Sequence, residues 1–112
     1  MATDKNFKLK AGEIVQLITP MGGCLATDKI TVEGELVGYM VRETPLYDVD
    51  SGWQFFSGTE DKEFLDEPAN SGIYDVNTIA NYDQSIIPYL RFPAGTELER
   101  IQGTNHFQII TG

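Results

Sequence analysis

The 112-residue sequence has one cysteine, one histidine and few basic residues, and each scarcity removes a class of function. Cys24 cannot form an internal disulfide, and together with His106 it cannot supply the four ligands of a structural zinc site. No window approaches the roughly 18 apolar residues of a membrane-spanning helix. Residues 1–10 are polar and charged rather than an apolar signal core. We therefore expect a cytoplasmic protein with no membrane role.

The sequence also lacks the patterns that catalysis and cofactor binding usually require. A cysteine nucleophile needs a base within hydrogen-bond reach, and nothing in the sequence positions of Cys24 and His106 indicates such a pair. No stretch has the spacing of a calcium loop, a P-loop or a dinucleotide fingerprint. We expect a non-enzymatic protein with no metal and no cofactor, in which Cys24 is a small buried residue.

Negative charge, in contrast, is abundant and unevenly distributed. Eight Lys and Arg against seventeen Asp and Glu give a net charge of −9, which would repel a phosphate backbone, so nucleic acid is not an expected partner. The charge is +1 over residues 1–30, −8 over residues 31–70 and −2 over residues 71–112. The middle third would attract a basic protein. The same acids could also serve only as a solvated surface that keeps the protein soluble.

The 41% hydrophobic content is sufficient for one core, and we expect one domain over residues 1–112. We expect a central strand at residues 36–42 because both of its faces are apolar. Gly38 within it would lie beneath an aromatic ring, Trp53 or Phe55. Asp50-Ser51-Gly52 and Asn70-Ser71-Gly72 have the composition of turns. Apolar alternation predicts strands over residues 13–19, 24–27, 36–42 and 53–57, and a closing hairpin over residues 96–101 and 106–111.

Short helical segments are expected between these strands. Residues 28–34 form a turn or one helical turn that Gly34 closes. Ser57 or Thr59 would cap a helix over residues 60–65, Asp75 would cap a second helix, and Asp83 would cap a third that Pro88 keeps short. The predicted class is α+β, with a small, mainly antiparallel sheet of about five or six strands and two or three short helices.

Large aromatic residues framed by acids and glycines, at residues 50–60, form the leading candidate for a binding surface. Trp53 and Phe55 belong to the core if their rings face inward, whereas an exposed ring would anchor an interface. Phe56 is the better candidate for exposure because it lies on the opposite strand face from Trp53. With the neighbouring acids, the expected partner-binding residues are Glu43, Asp48, Asp50, Trp53, Phe56, Glu60, Asp61 and Glu63.

A second polar and aromatic group favours an alternative function. Tyr74, Asn77, Asn81 and Tyr82, with Trp53 nearby and Arg42 holding an anion, could line a pocket. The protein would then be a small-ligand-binding protein or an uncharacterised enzyme. These side chains also have an ordinary structural explanation, because Asn caps helices and Tyr packs with its hydroxyl at the surface. The candidate pocket residues are Arg42, Tyr74, Asn77, Asn81 and Tyr82.

Three motifs carry a family resemblance: GYMVRE at residues 38–43, DSGWQFFSG at residues 50–58 and IYDVNTIANYD at residues 73–83. Over about residues 24–100 the chain resembles a bacterial domain-of-unknown-function family of immunity-protein-33-like (Imm33-like) domains. The resemblance implies a protein that binds and blocks a partner toxin, and it brings no catalytic residues. A basic toxin would suit the acidic middle third. A housekeeping interaction domain without a toxin is the further alternative.

Overall fold

A computed structural model describes residues 5–110 and has an α+β fold built on a six-stranded sheet. The predicted fold class is confirmed. Three short α-helices are α1 (Asp28–Thr31), α2 (Lys62–Asp66) and α3 (Val76–Tyr82), and 3-10 turns form at Ala11–Glu13, Pro68–Asn70 and Gln84–Tyr89. The strands are β1 (Gly23–Thr27), β2 (Tyr39–Arg42), β3 (Asp50–Phe56), β4 (Ser71–Asp75), β5 (Glu97–Arg100) and β6 (Phe107–Ile109).

The strands lie in the order β4-β1-β3-β2-β5-β6. Only the pairing of β1 with β3 is parallel, and the other four pairings between these strands are antiparallel. The predicted interior position of β2 is confirmed, since β2 pairs with β3 on one side and with β5 on the other. Residues directly opposite each other in such a ladder share a face. The register therefore assigns each side chain to one of two faces of the sheet.

The inner face of the sheet builds the hydrophobic core beneath α1, α3 and the Gln84–Tyr89 turn. Ala26, Met40, Trp53, Phe55 and Leu98 point to this side and are at most 1% exposed. Each large side chain that is buried in this way contributes about 1.5–3 kcal/mol to the free energy of unfolding. They pack in one cluster with helical side chains, among them Ile30, Val76, Ile79, Ile86 and Leu90.

The outer face of the sheet has a different character, because most of its side chains are exposed or half-buried. Val41 is its buried member, at 8% exposure, whereas Ile73 is 66% exposed. Aliphatic, aromatic and acidic side chains therefore alternate on a surface that solvent reaches. From the register, the outer face carries Ile73, Leu25, Gln54, Val41, Glu97, Phe56, Tyr39 and Glu99.

The predicted strand over residues 13–19 is wrong. Ala11–Glu13 forms a 3-10 turn, and the residues that follow have no strand partner among the described residues. Their backbone groups are instead bonded by the side-chain amides of Asn77 and Asn81. The apolar alternation has a simple explanation, because Leu17 and Ile18 pack against the core from an extended segment.

Two glycine-containing segments that we expected to be turns lie inside strands. β3 begins at Asp50, and the turn comes earlier, where the Asp50 N–H donates to the Tyr47 carbonyl (3.0 Å). Gly52 has a φ of +87°, and a Cβ there would overlap the Glu43 carbonyl, so glycine is required for both reasons. Ser71 and Gly72 belong to β4, which the sequence pattern did not predict.

Of the remaining local predictions, two helix caps and the closing hairpin are confirmed, and two others are wrong. Asp75 and Asp83 cap their helical segments as expected, and the hairpin of β5 and β6 is confirmed, with residue 111 outside the described part. The cap of α2 is Asp61 rather than Ser57 or Thr59, since Asp61 accepts from the Phe64 N–H (2.8 Å). Gly38 lies against the backbone carbonyl of Ser57 rather than beneath an aromatic ring.

Candidate functional site

The link between β2 and β3, residues 43–49, forms with Asp50, the first residue of β3, an acidic loop that projects beside the outer face of the sheet. Gly23 N–H donates to the Val49 carbonyl (2.6 Å), which ties the loop to β1. The Asp50 carboxylate shapes it from within, accepting from the N–H groups of Leu46 (3.0 Å) and Gly52 (2.9 Å). The loop conformation therefore depends on its own sequence rather than on a packed core.

This acidic loop presents apolar side chains to solvent. Leu46 is 85% exposed, Val49 is 68% exposed and Tyr47 is 57% exposed. Three exposed apolar residues within four positions are a candidate for a surface that binds another molecule, since a monomer gains nothing from exposing them together. Tyrosine also belongs to the residue types that contribute most energy at protein interfaces.

A groove of about 340 Å3 runs between the acidic loop and the outer face at β1 and β4. Its volume lies at the lower end of the range for small-molecule sites, so it has room for one extended side chain rather than for a large cofactor. Its lining is mixed, with aliphatic, aromatic and acidic residues. The lining side chains include Leu25, Leu46, Tyr47, Ile73, Glu43 and Asp50.

A second apolar site lies further along the outer face. Phe56 is half-buried and packs against Tyr39, with their ring centroids 5.6 Å apart. Leu65 of α2 lies at the same cavity and is 44% exposed. The exposed acids Asp61 and Glu63 stand on or beside α2. Most of the expected partner-binding residues thus lie on the acidic loop, the outer face or α2.

The chain was compared with protein families, curated proteins and solved structures. The family model of the Immunity protein Imm33 domain matches residues 24–111, more than three quarters of the chain. The chain belongs to the Imm33 immunity protein family. The matched range contains all three sequence motifs, so the predicted resemblance is confirmed and extends past residue 100. Neither the curated proteins nor the solved structures gave a match.

The Imm33 domain buries one residue that we expected to contact a partner. Trp53 is 1% exposed, stacks on Phe55 with ring centroids 5.9 Å apart, and donates from its indole nitrogen to the Leu90 carbonyl (3.0 Å). The expectation that Trp53 offers a ring to a partner is therefore wrong. Inner-face alternation with Phe55 is the signal that identifies Trp53 as core.

Glu60 also has a structural role within the Imm33 domain. Its carboxylate accepts from the Thr27 hydroxyl (2.5 Å) and from the N–H groups of Ser57 (2.8 Å) and Gly58 (2.9 Å). Burial, the largest single effect, raises the pKa of Glu60, but the hydrogen bonds together outweigh it and the pKa lies below its usual value. Glu60 thus fastens the segment after β3 to β1, and its carboxylate is already engaged.

The predicted small-ligand pocket is not formed. Its two asparagines and Tyr82 are hydrogen-bonded to the segment before residue 24, where the family match begins. Asn77 Oδ1 accepts from the Leu17 N–H (2.7 Å), and the Nδ2 atoms of Asn77 and Asn81 donate to the Val15 carbonyl (2.9 and 2.8 Å). The Tyr82 hydroxyl accepts from the backbone N–H of residue 9 (3.1 Å) and donates to the carbonyl of residue 31 (2.9 Å). These polar groups are used internally.

The other two predicted pocket residues lie apart from that cluster. Arg42 Nη1 donates to the carbonyls of Leu90 (3.2 Å) and Phe92 (2.9 Å), and its Nε donates to a third carbonyl. These three hydrogen bonds engage the Arg42 guanidinium with backbone carbonyls, which does not support the predicted anion site. Tyr74 packs edge-on against Phe7, with ring centroids 5.8 Å apart. A cavity of about 460 Å3 does include Arg42, but none of the other four predicted residues lines it.

The single cysteine and histidine of the Imm33 domain do not meet. Cys24 is buried in β1, and burial together with the carboxylates of Asp75 and Asp50 raises the pKa of its thiol. His106 is exposed just before β6, and four strand spacings, roughly 19 Å across the sheet, separate β6 from β1. Residues 5–110 contain no group of three or more potential metal ligands. Within the same residues, no helix has the length and apolar character needed to cross a membrane.

Proposed function

We propose that this chain is a non-enzymatic immunity protein that binds a basic partner toxin and neutralises it by covering its working surface. The observation that carries the proposal is the acidic loop, where exposed Leu46, Tyr47 and Val49 stand among carboxylates in a member of the Imm33 family. Buried apolar contacts would supply the affinity, and the acids would supply attraction and orientation.

The distribution of charge supports a basic partner. Residues 31–70 carry −8 of the net −9, and that segment contains the acidic loop, β3 and α2. Because screening acts over about 8 Å at physiological salt, neighbouring acids on one surface add their fields near that surface. A basic toxin would be drawn to this side and arrive with its cationic surface facing it. Occlusion of that surface would stop a toxin that acts on an anionic substrate.

Neutralisation can be tested once the toxin is in hand. The wild-type chain is used to capture its partner from the native host, and a toxin gene beside the chain's own gene gives an independent candidate. Growth of cells that express the toxin is then compared with and without the chain. Rescue of growth is expected. If neither route yields a toxin, the housekeeping alternative replaces the proposal.

The binding surface can be tested with two triple variants that change net charge equally. Glu43→Gln, Asp48→Asn and Glu63→Gln remove three acids from the proposed surface. In the control chain, Gln16→Lys, Gln84→Lys and Gln102→Lys add three positive charges at exposed positions outside it. Circular dichroism verifies that both variants are folded.

Association with the purified toxin is measured at low and at physiological salt. The acid-depleted variant should associate about tenfold more slowly at low salt and show a weaker salt dependence, because steering charges act mainly on the association rate. The lysine control should remain close to the wild type. The proposed surface is contradicted if the association rate falls equally in both variants or falls in neither. Growth rescue remains a separate test of neutralisation.

A further inference from the structure

The groove beside the acidic loop has a composition that selects one kind of occupant. Its lining combines the aliphatic residues Leu25, Leu46 and Ile73 with the aromatic Tyr47 and the acidic Glu43 and Asp50. The Glu43 carboxylate accepts no hydrogen bond from the described residues. A long apolar stem that ends in a positive charge would match both the apolar and the acidic part of this lining.

We infer that the groove is a recognition site for a single arginine side chain of the partner protein. The inference rests on the proposed function and names the residue of the toxin that this surface would read. The stem of the arginine would pack on the aliphatic side chains of the lining. Its guanidinium would lie against the ring of Tyr47 and donate hydrogen bonds to Glu43, with the Asp50 carboxylate adding negative charge nearby.

Arginine fits this groove better than lysine for a physical reason. A lysine ammonium is compact and strongly hydrated, so it would lose more hydration beside the apolar part of the lining. A guanidinium is more weakly hydrated, stacks on aromatic rings and pairs with a carboxylate through two parallel hydrogen bonds. A second copy of this chain is a poor occupant, because it would bring another net charge of −9 to the same acids.

The test is an NMR titration of the full-length chain with four blocked amino acids. The probes are the N-acetyl, C-methylamide derivatives of arginine, citrulline, lysine and norleucine. Citrulline keeps the shape of arginine without its charge, and norleucine keeps only the apolar stem. We expect the arginine probe to shift the amide signals of Tyr47, Gly52 and Ile73 saturably at millimolar concentration. Citrulline should bind about tenfold more weakly, as expected for loss of a charge-assisted hydrogen bond.

Variants at exposed positions separate the contributions. Glu43→Gln and Tyr47→Ala should each weaken arginine binding, whereas Tyr47→Phe keeps the ring and should bind as the wild type does. Glu63→Gln removes the same charge from α2, away from the groove, and serves as the matched control. All three positions are exposed, so folding is expected to be unaffected, and thermal unfolding verifies this.

The outcomes are distinct. Selective arginine binding that depends on Glu43 and Tyr47 supports the inference. Equal binding of arginine, citrulline and norleucine shows only an apolar site and overturns it, as does the absence of saturable shifts for any probe. The inference is also overturned if sedimentation shows that the chain self-associates and the same amide signals shift with the concentration of the chain. Because toxin capture and growth rescue do not use these probes, their success alongside a failed titration would overturn only the arginine site.

Discussion

Replacing Asp83 with alanine removes the carboxylate at the centre of a buried network that joins three parts of the chain. Asp83 Oδ2 accepts from the Val37 N–H (3.0 Å) and pairs with the Arg100 guanidinium. Its Oδ1 atom accepts from the N–H (3.0 Å) and the hydroxyl (2.5 Å) of Ser85. The side chains of Asp83 and Arg100 are only 5% and 12% exposed. The network thus connects the end of α3 to β5 and to Val37, two residues before β2.

The size of the effect follows from what the substitution leaves behind. Removing one member of a buried ion pair costs about 3–5 kcal/mol, because the remaining charge stays buried without its partner. Arg100 would keep its bonds to the carbonyls of Val37 (2.8 Å) and Thr104 (2.9 Å), so we expect the lower part of this range, about 3–4 kcal/mol. With an unfolding entropy of about 2.1 cal/mol/K per residue, the melting temperature should fall by roughly 13–17 °C.

Urea unfolding followed by circular dichroism measures this loss of stability, with the m-value showing whether the transition stays two-state. Glu99→Ala, at an exposed position of the same strand as Arg100, should change stability by at most about 0.5 kcal/mol. The double variant Asp83→Ala, Arg100→Met should lose less than the sum of the single losses, since it leaves no unpaired charge. A cost below about 1 kcal/mol for Asp83→Ala would refute the reasoning.

Three further substitutions test other contacts. Asn77→Ala should speed amide exchange in residues 15–18 and lower stability by about 1–2 kcal/mol, measured by hydrogen exchange and urea unfolding. Gly38→Ala should cost about 1–3 kcal/mol because its Cβ would overlap the Ser57 carbonyl, whereas Gly12→Ala meets nothing within 4 Å and serves as the control. Glu60 has a lowered folded-state pKa, so its contribution is fully present above the unfolded value of 4.5 and is lost as pH falls through the folded pKa. Glu60→Gln should therefore flatten the acid side of the stability profile, and an unchanged slope would contradict this.

The elements that sequence patterns predicted correctly are those with a local cause. Asp75 and Asp83 could be identified as caps because a carboxylate before a helix satisfies backbone N–H groups within three residues. β2 was expected inside the sheet because both of its faces are apolar, and it has a neighbour on each side. These signals depend on a few adjacent residues, so no knowledge of the tertiary structure is needed.

The missed elements depend on contacts between distant residues. Residues 13–19 have a strand-like alternation, but the partner of their backbone is a pair of asparagine side chains about 60 positions later. β4 contains Ser71 and Gly72, and it forms a strand because β1 offers an edge to pair with. No local pattern contains the position of that edge. Tertiary pairing therefore outweighs intrinsic turn propensity here.

The candidate surface was predictable in charge but not in its apolar part. The acids of residues 43–67 are evident from composition, and Glu43, Asp48, Asp61 and Glu63 are exposed. The aromatic emphasis on Trp53 was misplaced, since Trp53 is buried and Tyr47 of the acidic loop is 57% exposed. Leu46, Tyr47 and Val49 could have been noticed as apolar residues within a proline-containing loop. Their exposure was not deducible, because it depends on where the loop stands relative to the sheet.

The hydrogen bonds from the side-chain amides of Asn77 and Asn81 to the preceding segment determine where a truncated fragment of this protein can begin. The family match starts at residue 24, yet these two amides hold residues 15–18, which precede it. A fragment that starts at residue 24 would remove the partners of both amides in residues 15–18, although Asn81 would keep its bond to the Asn77 carbonyl (2.8 Å), and it would remove Leu17 and Ile18 from the core. Residues 15–18 therefore belong to the packed structure, although the family match begins after them.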